Sequence, residues 1–462
     1  MNDSLGKLSI KEKVGYSLGD VSANFVFQTL LVFQLNFYTD TFGLTAAAAG
    51  TLFFVAVMGG AIFDPIMGVL SDRTTTKWGK FRPWILWTAV PFGILAFLTF
   101  STPGFGPTGK LIYAYTTFIL LMMMYSANNT PYSALSAVMT GDSAQRTSLL
   151  SYRQVFANSA AFIVQGLSIP MRTFFGGGNS ASAKGWEMTM GTFAVLCVVF
   201  FVITFLSTKE RIQPDPSQKT SLGQDLKDLM KNGPYIALFV MTVFLFIALP
   251  LRGSMMNYYF KYCLKNESLF SLFNVFGLAS VIIGILFSTA LATRFGKRSV
   301  YIAGLSTATV LTALLLVLPS GAIIPIFVVE VVRQFAYGWT CPLLWAMVAD
   351  VADYSEWKTG RRATGMVSAA IVFGLKVGLG FGLAVGGWLL SLYGYDAAAV
   401  VQSEEALTGI RMASSVFPAL AFLTGVVCLF FYKIDKRLNL QIANELTERR
   451  KTFGTNPRAT TA

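Results

Sequence analysis

The stretch FDPIMGVLSDRTTTKWGKFRPW, residues 63–84, closes one long apolar run and opens the next. The runs on either side, 44–71 and 81–101, are each long enough to cross a bilayer, which takes about 20 mostly apolar residues. Between them stand Asp72 and the basic residues Arg73, Lys77, Lys80 and Arg82. A short connection rich in Lys and Arg marks the cytoplasmic side of a membrane protein. A reduced version, Arg294, Gly296, Lys297 and Arg298, recurs at the equivalent place in the second half of the chain. This weak echo predicts two halves built alike.

Working outward, twelve apolar runs are expected to span a membrane. In the first half they lie near 13–38, 44–71, 81–101, 111–140, 148–171 and 188–207; in the second, near 234–260, 267–293, 299–319, 322–350, 363–392 and 407–432. Residues 208–233 are the only long polar stretch between runs, and SLGQDLKDLMKN within it is expected to form a short surface helix. The expected organisation is a six-helix bundle over 1–207, a cytoplasmic loop over 208–233, a second six-helix bundle over 234–433 and a cytoplasmic tail over 434–462. The fold class is all-α and membrane-embedded: twelve transmembrane helices in two bundles around a central cavity.

Composition agrees. Of 462 residues, 54% are hydrophobic and only 13% charged, against about 25% charged in a soluble domain. The net charge is +13. With both termini placed inside, only Lys110, Arg172, Lys184, Lys261 and Lys265 fall in outer loops, and Arg153, Arg252, Arg333, Lys376 and Arg411 fall within spans. The other basic residues face the cytoplasm, so the charge needs no nucleic-acid partner. The polar N-terminal segment MNDSLGKLSIKEKV is not expected to be a cleavable signal. The chain has no histidine, which removes His-ligated zinc and imidazole-based catalysis. Cys197, Cys263, Cys341 and Cys428 have no paired spacing and read as buried small side chains. No metal site, cofactor or activated nucleophile is expected, so the chain does not read as an enzyme.

A charge inside hydrocarbon costs at least about 2.5–3.5 kcal/mol, so each one needs a reason. Asp20 and Asn24 share one helix face. Asp64 precedes Pro65, which frees the carbonyl of Ala61, and a carboxylate beside a freed carbonyl suits a cation. The alternative is a structural ion pair with Lys376 or an arginine. YSANNTPYSAL, residues 125–135, gathers Tyr125, Ser126, Asn128 and Asn129 around Pro131. Such neutral donors and acceptors suit a hydroxyl-rich ligand, or they fill a kink. At the inner edge, Asp72, Arg73, Lys80 and Arg82 are expected to form a charge network that latches helices in one conformation, or simply to anchor the chain. Asp350, Asp353, Glu356, Lys358, Arg361 and Arg362 form a second dense cluster at the inner end of the tenth span.

These stretches resemble the glycoside–pentoside–hexuronide:cation symporters, a branch of the major facilitator superfamily. The resemblance rests on GYSLGD (15–20), FYTDTFG (37–43), residues 63–84, NNTPYSAL (128–135), KERI (209–212) and VADVADYSEWKTGRRATG (348–365). It implies the major facilitator fold and uptake of a sugar together with H⁺, Na⁺ or Li⁺. In members that carry melibiose, two aspartates and an arginine bind the sugar. By position these are Asn24, Asn129 and Arg153 here, so both acids are amides. The family's cation site has two aspartates and a threonine. Asp64 and Ser126 match two of them, while Gly60 stands at the other aspartate and Val57 at a nearby arginine. Lys376 matches a lysine of the eleventh span.

The expected mechanism is alternating access with a sugar on Asn24, Tyr125, Asn129 and Arg153; from the other half Lys376 contributes, and Trp345 offers an aromatic face to the sugar or else is core packing. Asp64 and Ser126 take the coupling cation. With one carboxylate missing, a proton carried by Asp64 is the simpler expectation, and sodium coupling is the alternative. The two amides favour a glucuronide or xyloside, with a neutral pentoside or oligosaccharide close behind. A lysolipid carrier is the rival from a different class, and a membrane sensor a weaker one. The expected partners are the sugar, the cation and the lipid bilayer. The expected state is a monomer in the bacterial inner membrane with both termini cytoplasmic.

Overall fold

The structure is a computed structural model that describes residues 8–140, 143–211, 232–319, 321–359, 364–399 and 401–454. The surface helix expected over SLGQDLKDLMKN, together with Arg361 and Arg362, lies outside the described residues. Long helices occupy every expected run. The first half holds α1 (Ile10–Asn36, extended by a π-helical turn Phe37–Thr41), α2 (Ala46–Arg73), α3 (Arg82–Thr99), α4 (Pro107–Met139), α5 (Ser143–Phe175) and α6 (Ala183–Ser207). The second half holds α7 (Gly233–Tyr258, extended by a π-helical turn Tyr259–Cys263), α8 (Ser268–Phe295), α9 (Lys297–Leu314), α10 (Ile323–Thr359) and α11 (Thr364–Leu392). The last pass is divided into α12 (Glu404–Ser414) and α13 (Val416–Phe431), and α14 (Lys436–Gly454) follows in the tail.

Among the described residues, nine of these passes are long and apolar enough to cross a membrane. The other three are α5, α9 and α10. Helix α5 carries Arg146, Arg153, Gln165 and Arg172; α9 begins with Lys297 and Arg298; α10 carries Glu330, Arg333, Asp350, Asp353 and Glu356. Large apolar side chains such as Leu206, Leu286 and Phe431 are exposed, as they are where lipid rather than water is the solvent. Of the cysteines expected to be buried, Cys197 is so, whereas Cys263, Cys341 and Cys428 are half-buried.

Local signals set the helix ends. Ser9 and Glu12 cap α1 reciprocally, the Ser9 hydroxyl accepting from the Glu12 N–H at 3.2 Å and Glu12 accepting from the Ser9 N–H at 3.0 Å. Thr45 caps α2 through the Ala48 N–H. Three expectations shift. Helix α5 runs past 171, so Arg172 is a fully buried helical residue instead of a loop residue. Lys261 likewise sits in a π-helical turn. Helix α10 runs past 350, which puts Asp350, Asp353 and Glu356 inside the helix.

The chain divides into two compact units. The first comprises 1–217, 250–275 and 379–414; the second comprises 218–249, 276–378 and 415–462. In the first unit α1 packs on α5 and α6, α2 on α4, and α3 on α4 and α6. Gly50 and Gly387 meet backbone to backbone, where any side chain would force α2 and the end of α11 apart. In the second unit α9 packs on α10 and α13. Its core includes Leu238, Met241, Tyr301, Leu305, Met347 and Phe422.

Candidate functional site

In the first unit, α1 presents Asp20, Asn24 and Gln28 at successive four-residue steps, on one face. Helix α5 brings Arg153 to the lower end of this stripe, where its guanidinium donates to Asp20 Oδ1 at 3.2 Å. The same guanidinium lies 5.2 Å from the centre of the Tyr132 ring. That ring is held flat on Tyr16, with centroids 4.6 Å apart and planes 12° from parallel. Each tyrosine hydroxyl donates to the other's backbone carbonyl. The arginine is thus aimed by a rigid aromatic pair. It stays 26% exposed, its carboxylate partner 11%.

The stripe continues upward. Asn24 donates to the Asp20 carbonyl at 2.8 Å, and Gln28 reaches Asn24 Oδ1 at 3.4 Å. Gln165 of α5 donates to Gln28 Oε1 at 3.2 Å. Helix α4 contributes Tyr125, whose ring stacks on Phe27 at 5.2 Å. Tyr125 lies close enough to Asp20, Arg153 and Asp64 to feel the charge of all three. Asn129, also on α4, is half-buried.

The structure therefore brings Asp20, Asn24, Tyr125 and Arg153 together. Asp20 and Arg153 form an ion pair with each other. Gln28 and Gln165 were missed, although Gln28 follows Asn24 at the same four-residue step.

Around Asp64 of α2, the Thr130 hydroxyl approaches Oδ1 at 3.5 Å. Ser126 donates to the Gly60 carbonyl at 3.1 Å, so its hydrogen serves the α2–α4 contact. Gly60 packs directly on the backbone of Met122. Asn128 is buried and donates to Thr88 at 2.8 Å, which makes it a tie between α4 and α3. Trp345 and Lys376 belong to the second unit, where Trp345 is 50% exposed and so not core packing.

In the turn between α2 and α3 the expected charge network takes another form. Asp72 and Arg73 are exposed. The organising anion is Glu210 of the KERI stretch. Its carboxylate accepts from the backbone N–H groups of Lys80, Phe81 and Arg82 at 2.8–2.9 Å. The free amides at a helix start make this a natural carboxylate seat. Gly79, at φ +109°, lets the turn wrap that close to Glu210. Arg82 donates to the Phe205 carbonyl at 2.6 Å. In the second unit Lys297 pairs with both oxygens of Asp350 at 2.7 and 2.8 Å. Glu330, also missed, pairs with Arg333 in full burial; its spacing of three residues on one helix was the available signal.

A dense polar cluster at the far end of α1 was not foreseen. Asp40 receives five donors: Lys261, Tyr262 at 3.0 Å and Asn36 at 2.9 Å on Oδ2, then Thr39 and Tyr395 at 2.6 Å on Oδ1. The hydroxyls of Thr39 and Tyr258 are 2.7 Å apart. Burial first, then the neighbouring Tyr258 and Asp40, push the Tyr395 hydroxyl far above its ordinary pKa, so it remains a donor. Nearby, Arg172 lies 4.0 Å above the Trp186 ring and pairs with Glu267 at 3.1 Å, while Ser180 donates to Glu267 at 2.6 Å. All these residues belong to the first unit.

Apolar passes with ionisable and amide side chains gathered inside them define a multi-pass membrane protein. The comparisons are specific. Residues 15–436 match the family described as MFS/sugar transport protein, and the chain belongs to that family. It is 36% identical to the "Inner membrane symporter YicJ" of Escherichia coli (strain K12), over 91% of each chain. It is 35% identical to the "Isoprimeverose transporter" of Lactiplantibacillus pentosus, covering 92% of this chain and 89% of that one. Among solved structures, that of a D-xylose-proton symporter superposes with a TM-score of 0.66 at 13% identity, over 92% of this chain and 97% of that one. This last likeness concerns the fold.

Proposed function

We propose that this protein is a secondary active transporter that carries a sugar or glycoside together with a cation across the bacterial inner membrane, by alternating access. The observation that carries the reading is the Asp20–Asn24–Arg153 face with Tyr125, a neutral and paired polar surface inside otherwise apolar helices. Amides, a hydroxyl and a paired guanidinium can satisfy many hydroxyl groups without burying a net charge. The membership and the symporter and sugar-transporter names of its relatives support the same class.

In this reading the protein is a transporter and not an enzyme, and it uses no cofactor. It acts as a monomer, with both termini cytoplasmic. Asn24, Tyr125, Asn129 and Arg153 hold the sugar. Asp64 carries the coupling cation, which we take to be a proton, because Gly60 stands where a second carboxylate would be needed for a sodium site. Loading Asp64 with the cation favours closure of the surrounding helices. Sugar and cation then share one coupling free energy, and each tightens the other by the same factor. The Asp40 cluster is the outer gate. It ties the ends of α1 and α7 to the segment after α11 and has to come apart when the carrier opens outward.

The decisive experiment is sugar-induced proton uptake in sodium-free proteoliposomes across glucuronides, xylosides and galactosides. External alkalinisation with one class names the substrate and the cation. Uptake only after sodium is added overturns the proton assignment. Competition by lysolipid with no response to any sugar overturns sugar transport. The variant Asp64→Asn is expected to lose accumulation against a gradient while keeping sugar exchange.

A further inference from the structure

The polar stripe on α1 is longer than one sugar ring needs. Asp20 and Gln28 are eight residues apart, or about 12 Å along a helix rising 1.5 Å per residue. The lower end is the charged station, where Arg153 meets Asp20 beneath Asn24. The upper end is a neutral station, where Gln28 of α1 meets Gln165 of α5. Both glutamines are half-buried, as is Phe27, which stacks on Tyr125 between the two stations.

We infer that Gln28 and Gln165 form a second sugar subsite, and that the transported substrate is a glycoside with a second ring or a comparably polar aglycone. The inference rests on the sugar-transport reading above and narrows its substrate class. Two amides joined by one hydrogen bond still offer a carbonyl oxygen on Gln165 and further N–H groups on both residues. Such a pair recognises hydroxyls at the price of little rearrangement and adds no charge to the membrane interior. Phe27 and Tyr125 offer an aromatic surface for the apolar face of a ring between the stations. A single pyranose on Asn24 and Arg153 leaves the glutamine pair without a ligand, whereas a disaccharide reaches both.

The competing explanation is that Gln28 and Gln165 merely pin α1 to α5, as interhelical amides do in membrane proteins. A pin affects every substrate alike, but a subsite discriminates by substrate length. The test measures kcat/KM for uptake of a methyl pyranoside and of the disaccharide with the same non-reducing ring, in gluco, xylo and galacto series. It uses the full-length protein in proteoliposomes, as wild type, Gln28→Ala, Gln165→Ala and Gln165→Leu. Because each variant is judged by the ratio of its two substrates, differences in yield or stability cancel.

The expected result is that wild type prefers the disaccharide, and that this preference falls at least tenfold in the alanine and leucine variants. Asn24→Ala is expected to weaken both substrates together. A ratio within twofold of wild type in all three glutamine variants overturns the subsite, as does a wild type that carries only the methyl pyranoside. A wild type that carries neither overturns the sugar-transport reading itself.

Discussion

Asp20 and Asp40 sit on one continuous helical pass of the first unit, and the protein treats them oppositely. Asp20 receives a guanidinium hydrogen bond from Arg153 at 3.2 Å on a face that stays partly open. Asp40 has a side chain only 3% exposed and five donors around its two oxygens. A carboxylate has room for about four hydrogen bonds. Asp40 has no capacity left for a ligand, so it locks helices together. Asp20 retains capacity, so its end of the helix can still exchange partners. Burial is therefore a poor guide to function in this membrane interior, and residual hydrogen-bonding capacity is a better one.

The contrast can be broken most severely at Asp40. Asp40→Ala leaves the Lys261 ammonium without its carboxylate, and losing one partner of a buried pair costs roughly 3–5 kcal/mol. Lys261 is a quarter exposed, so the lower part of that range is expected, read as a marked fall in thermal stability in detergent. Adding Lys261→Ala should recover part of it; no recovery in the double variant would show that the cluster is not organised by that pair. Next in size is Asp20→Asn, which keeps the shape but turns Arg153 into an unneutralised cation. Sugar affinity is expected to drop roughly tenfold, about 1.4 kcal/mol, with a much smaller change in stability. A stability loss as large as that of Asp40→Ala would erase the distinction between the two carboxylates.

A smaller effect sharpens the picture of the lock. Tyr395→Phe removes one of five donors and should cost about 1 kcal/mol. Because burial keeps that hydroxyl protonated, the loss should be the same at every pH from mildly acidic to mildly alkaline. The smallest effect is expected at Asp72→Asn, an exposed change that should stay within about 0.5 kcal/mol. A clear loss of transport there would support the charge latch read from residues 72–82, and an unchanged rate would leave Asp72 as a simple anchor.

The runs of apolar residues located nine passes outright among the described residues, because the cost of transferring a segment into hydrocarbon sums over its own side chains and needs no knowledge of neighbours; α5, α9 and α10 carry more polar residues. The same logic singled out Asp20, Asp64 and Arg153, since an intramembrane charge is conspicuous in any composition. Asn24 and Gln28 were legible to different degrees. Asn24 stood beside an acid, whereas Gln28 looked like one more polar residue until α5 supplied Gln165.

What the amino-acid sequence determined alone was thus a membrane-spanning chain, its polar residues and its family. Only the tertiary structure decided which polar groups meet. Arg172 and Glu267 are 95 residues apart in the chain, Gln28 and Gln165 137, and Asp40 and Lys261 221. Insertion energy is local and additive along a helix, but a hydrogen bond depends on the distance between two helices, which no segment encodes by itself. Whether a given aspartate is a lock or a binding group is settled by that second quantity.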